Sequence, residues 1–127
     1  MSRREARRAA LNILFQADVS GLDPLEVLAE REELEQTIDP FTRDLVTGVA
    51  ADLSELDELI GEHSQDWTVA RMASLERNIL RLACYELRGD EVPDGAAIDE
   101  AVAATKELAS PEAAKFVNGI LGSIARS

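Results

Sequence analysis

At 127 residues, with 46% apolar and 30% charged side chains, the chain is long enough to bury a core as one domain over 1–127 and too apolar for a disordered segment. A net charge of −12 argues against binding polyanions over a broad surface. One cysteine, Cys84, excludes an intramolecular disulfide, and no run approaches the ~18 apolar residues of a membrane span.

The first eight residues run against that overall charge. Met1 to Arg8 carries Arg3, Arg4, Arg7 and Arg8 against the single acid Glu5, a net charge of +3. No apolar segment follows, so this is not a secretory signal, and a cytoplasmic protein is the expectation. On charge alone, the arginines read either as a local docking site for an anion such as nucleic acid or as a solvated run.

Ser2 and Glu5 form a capping-box pattern that starts a first helix running to about Val19. At about 100° per residue, Ala6, Ala9, Ala10, Ile13 and Ala17 share the face expected to meet the core. Arg4, Arg8, Leu11, Asn12 and Phe15 fall opposite, which leaves two apolar side chains among arginines on a face expected to be wet. Such a pair suits base stacking or a protein anchor, or it lies under a second layer of helices. Asp23-Pro24-Leu25-Glu26 starts a second helix, with a cap followed by a proline at the first helical position. Asp39-Pro40 starts a third, whose Phe41, Leu45, Val49, Leu53, Leu56 and Ile60 recur at helical spacing. Fourteen acids and only two arginines lie between Asp18 and Glu62.

Past Trp67, Ser74 is positioned to cap Leu75–Leu87, a helix apolar on most sides and therefore central. Arg77, Arg81 and Arg88 project from it within one sector, beside Tyr85, which reads equally as a packed core residue. Val92-Pro93-Asp94-Gly95 is a turn. A penultimate helix follows from about Ala96 to Ala109, and Ser110-Pro111-Glu112 opens the last, ending near Arg126. Val117, Ile120, Leu121 and Ile124 form its buried stripe, with Lys115, Asn118, Gly119, Gly122 and Arg126 opposite. Glycine inside a helix costs about 1 kcal/mol relative to alanine. Two on the outer face therefore point to a close neighbour there, either another helix or RNA. The fold class expected is all-α, a compact bundle of six to seven helices.

No residue pattern calls for catalysis. His63 has no Cys or second His beside it to complete a metal set, no phosphate-binding glycine loop occurs, and Cys84 in the middle of the central helix reads as a buried, inert thiol. No catalytic residue, metal or cofactor is expected.

Four blocks together resemble the NusB family of bacterial transcription antitermination factors. They are Arg3-Arg4-Glu5-Ala6-Arg7 through Leu14-Phe15-Gln16, Leu75–Leu87, Pro93–Val102 and Lys115–Leu121, and they span the chain in order. The resemblance implies two packed helical sub-bundles without enzymatic activity. NusB proteins pair with the ribosomal protein NusE and bind the boxA element of nascent ribosomal RNA leaders. The pair then joins the RNA polymerase antitermination complex and suppresses premature termination. By that similarity Arg3, Arg4, Arg7, Arg8, Lys115, Phe116 and Asn118 face RNA, a boxA-like single strand. Phe15, Glu76 and Arg77 face the protein partner. Asn12 stands where the family often has Gln, Asp99 where Asn is common, and Leu22–Ile38 matches poorly. Two other readings remain open. One is a homodimer burying Leu11 and Phe15 across a two-fold axis. The other is the helical RNA-binding domain of a ribosomal RNA cytosine methyltransferase.

Overall fold

The computed structural model describes residues 2–35, 37–65 and 67–127. These form seven α-helices and one 3-10 turn, with no strand among the described residues. They divide into two compact units, Met1–Asp52 and Leu53–Ser127.

The first unit is three mutually packed helices: α1 (Arg3–Ser20), α2 (Pro24–Glu35) and α3 (Pro40–Ala51). The Ser2–Glu5 capping box forms as the sequence suggests, with the Glu5 amide donating to Ser2 Oγ at 3.1 Å and the Ser2 amide to Glu5 Oε1 at 3.2 Å. α1 ends at Gly21, whose φ of 70° only glycine adopts cheaply. Leu22 N–H then returns to the Ala17 carbonyl at 2.9 Å. Ala6, Ala10 and Ala17 are fully buried, and such small side chains let a neighbouring helix approach closely. Thr42, itself buried, donates its hydroxyl to the Ala6 carbonyl at 2.9 Å and so ties α3 to α1. Asp23 and Asp39 each cap the helix that follows, accepting from the amides of Leu25 and Phe41 at 2.8 Å.

The second unit contains α4 (Leu53–Glu62), a 3-10 turn (Val69–Arg71), α5 (Ser74–Arg88), α6 (Asp94–Leu108) and α7 (Pro111–Arg126). α5 packs against α4, α6 and α7, the central position its apolar content suggests. Its core is Leu56, Ile60, Ile79, Leu80, Cys84, Val117 and Leu121, all buried. Burial pushes the Cys84 thiol up to about 11, so it is protonated and unreactive near neutrality.

Three expectations change. The single third helix is two, because Asp52 (φ −105°, ψ 15°) leaves helical geometry, so Leu45 and Val49 serve the first unit and Leu56 and Ile60 the second. A one-residue break leaves the three- and four-residue apolar spacing intact, so periodicity does not register it. Ser74 is the first residue of α5 and not its cap, the cap position being Ala73 with no side-chain bond. Finally, α5 buries polar side chains. Arg81 is 9% exposed and forms a bidentate pair with Asp57 (Nε–Oδ1 2.7 Å, Nη2–Oδ2 2.8 Å), while its Nη1 reaches Asn78 Oδ1 at 3.1 Å.

Candidate nucleic-acid interface

The capping box places the four arginines on a formed helix. Arg3 and Arg7 lie one turn apart on one row of α1, and Arg4 and Arg8 on the next. Arg3 and Arg4 are exposed, Arg7 and Arg8 half-buried. The Arg3 guanidinium lies 3.9 Å from the Phe41 ring centroid and that of Arg7 5.4 Å, both within cation–π range. The Glu5 carboxyl, held chiefly by the Ser2 amide and then by the Ser2 hydroxyl, is kept below its usual range, so it remains an anion at the helix N-terminus.

Farther along α1 the outer face divides. Leu11 is 5% exposed, so the expected wet pair loses one member to burial, and a homodimer built on Leu11 has no exposed side chain there to use. Phe15 is 37% exposed and is joined by exposed Val19, Leu22 and Leu25. These four run from α1 through the Gly21 turn into α2, with Asp18 and Asp23 among them. Asn12 accepts from Arg31 at 2.8 Å and ties α2 to α1.

In the second unit, the hydroxyl of Ser110 accepts from the Ala113 amide at 3.1 Å, and Pro111 opens α7. Val117, Ile120, Leu121 and Ile124 are buried as the sequence predicts. Lys115 and Asn118 are exposed and Phe116 is half-buried on the flank. The two outer glycines differ. A Cβ at Gly119 would meet nothing within 4 Å, whereas at Gly122 it would meet Arg126 Nη1 at 3.1 Å. No other helix of the described chain therefore accounts for Gly119.

The arginine sector of α5 is taken up by the fold. Arg77 Nη1 donates to the carbonyls of Val69 at 3.1 Å, Ala70 at 3.3 Å and Met72 at 3.1 Å, clamping the 3-10 turn. Arg81 is committed to Asp57, and Arg88 bonds Glu55 at 3.1 Å. Glu76 is half-buried on the first turn of α5 beside Arg77. His63 Nδ1 lies 2.7 Å from Ser123 Oγ, a link between α4 and α7.

Residues 4–126 match the sequence model of the NusB family. The chain belongs to the NusB family. A relative from Arthrobacter sp. (strain FB24), named transcription antitermination protein NusB, is 42% identical over 123 residues, covering 95% of this chain and 90% of the relative. The structure of T. maritima NusB superposes with a TM-score of 0.88 at 34% identity, covering 100% of this chain and 92% of that one. A NusB chain crystallised with NusE and double-stranded RNA superposes at 0.84 and 30% identity, covering 98% of this chain and 96% of that one. NusB relatives are thus named as antitermination proteins and not as enzymes. No described helix is long and apolar enough to cross a membrane.

Within this NusB-family frame, several exposed features escape a linear reading. Val19 sits one helical turn after Phe15, so extending the Phe15 row by four residues would have found it. Trp67 is 49% exposed, with the Arg71 guanidinium 5.8 Å from its ring and Ser64 Oγ donating to its carbonyl at 2.7 Å. No periodic signal marks it, because it lies outside any helix. Phe41 reads in sequence as the start of a core stripe, and only the fold brings it under Arg3. Asp99 is exposed on α6.

Proposed function

We infer that this chain is a transcription antitermination factor, a cytoplasmic, non-catalytic adaptor that binds a boxA-like RNA and a NusE-type ribosomal protein. Residues 1–127 serve as one functional domain. Arg3, Arg4, Arg7 and Arg8 on α1, with Lys115, Phe116 and Asn118 on α7, contact RNA. The arginines and Lys115 neutralise phosphates, while Asn118 and Phe116 meet unstacked bases. The open backbone at Gly119 lets the strand approach α7 without meeting a side chain. Phe15, Glu76 and the face of α5 around Arg77, whose Nη1 is given to the 3-10 turn, meet the protein partner, with Val19, Leu22 and Leu25 extending the apolar anchor. A basic ribosomal protein complements the acids around that anchor and adds cations that this chain lacks. The pair then engages RNA polymerase. The single observation that carries the reading is the helical arginine cluster at the start of α1 in a chain of net charge −12.

Fluorescence anisotropy tests it, using a boxA-like single strand, its scrambled version and a duplex of the same sequence, with and without the partner. Expected are a preference for the boxA strand, tighter binding with the partner, and loss of binding in Arg4→Ala/Arg7→Ala. Equal affinity for all three RNAs, or no gain from the partner, would refute the reading. Sedimentation across concentration decides whether the free chain self-associates.

A further inference from the structure

Phe41 lies at the start of α3 with its backbone held from both sides. Its amide is taken by Asp39 Oδ1 at 2.8 Å, Pro40 precedes it, and the next residue, Thr42, is bonded to the α1 backbone at 2.9 Å. The Phe41 backbone is therefore held against the first turn of α1. Over its ring lie Arg3 at 3.9 Å and Arg7 at 5.4 Å. Two arginines one turn apart repel each other, and long arginine side chains lose rotamer freedom when they bind. A ring attracting both opposes each effect. A guanidinium stacked on an aromatic uses its π face, so its in-plane N–H groups keep their geometry for a phosphate.

We propose that Phe41 is a positioning residue for RNA binding. Its ring holds the guanidinium groups of Arg3 and Arg7 in place before RNA arrives, although Phe41 itself contacts no RNA. The proposal rests on the reading of those arginines as RNA contacts, and the test separates the two.

The test measures affinity for a boxA-like RNA oligonucleotide, with the full chain and its partner, in the wild type and in Phe41→Leu, Phe41→Tyr and Arg3→Ala/Arg7→Ala. The last is also combined with Phe41→Leu. Leucine keeps the apolar bulk and removes the ring, whereas tyrosine keeps the ring. Phe41→Leu is expected to weaken binding about fivefold. Phe41→Tyr is expected to bind as the wild type, and Phe41→Leu to add nothing once both arginines are gone. Wild-type affinity in Phe41→Leu overturns the positioning role while leaving the arginine site standing. So does a loss in the arginine-free background as large as in the wild type, because the ring would then act on RNA or on the fold directly. Failure of tyrosine to restore binding overturns it as well. Undiminished binding in Arg3→Ala/Arg7→Ala removes both the proposal and the assignment of these arginines to RNA.

Discussion

At the scale of single residues, Glu5 has two connected effects. It accepts the Ser2 amide, which starts α1, and by starting α1 it orders the turn that carries Arg3, Arg4, Arg7 and Arg8. Its folded carboxyl is shifted down from 4.5. The contribution of the capping box is therefore fully present above that value and lost as pH falls through the lower folded one. NMR carbon shifts of residues 3–8 are expected to stay helical at pH 6 and drift toward coil values only as the pH is taken below 4.5, while those of α7 do not. In Glu5→Gln that drift is expected to vanish, because the neutral amide does not titrate. Helical shifts unchanged down to the acid limit would mean that the box does not order this turn. The capping box was legible in the sequence, since Ser2 and Glu5 are three residues apart. The partner that Phe41 offers Arg3 was not, since it lies 38 residues away and no local pattern joins them.

At the scale of elements, the cost of the buried polar network on α5 can be measured. Arg81 is held by Asp57 of α4 and by Asn78 one turn before it. Removing Asp57 takes the bidentate carboxylate from a nearly buried guanidinium, which costs about 3 kcal/mol, the lower end of the usual range because the Asp57 side chain keeps 29% exposure. Denaturant unfolding followed by circular dichroism is expected to give that loss for Asp57→Ala and to recover much of it in Asp57→Ala/Arg81→Met. A loss below 1 kcal/mol would show that the pair behaves as an exposed salt bridge. The starts of α2, α6 and α7 were legible to within a few residues from Pro24, Pro93 and Pro111, with caps at Asp23 and Ser110. The division of α3 from α4 was not, because a break at Asp52 does not disturb which residues are apolar.

At the scale of the whole molecule, charge sets how RNA can be held. With −12 overall, the nine cations outside the cluster are scattered among 25 acids, and several are ion-paired, as Arg43 is with Glu32, Arg81 with Asp57 and Arg88 with Glu55. If the four N-terminal arginines and Lys115 supply the phosphate contacts, the slope of log affinity against log salt for a single strand is no steeper than about −3.5 for this chain alone. The partner is expected to steepen it, because its own cations release further counter-ions. A slope near −6 without the partner would mean that the RNA covers cations outside the assigned set.

Most helix starts and the caps at Ser2, Asp23, Asp39 and Ser110 were determined by local spacing alone: a hydroxyl or carboxylate two or three residues before its partner, a proline at the first turn, an apolar residue every three or four. Those interactions close within a few residues, so the sequence carries them in full. Tertiary structure decided how each arginine is used. Arg77, Arg81 and Arg88 share one face of α5, as the sequence reading placed them, yet packing brings carbonyls, Asp57 and Glu55 to them and commits them to the fold. Leu11 was likewise moved from an expected wet face into the core. Helical spacing gives the direction in which a side chain points, and only the packed neighbour determines what it meets there.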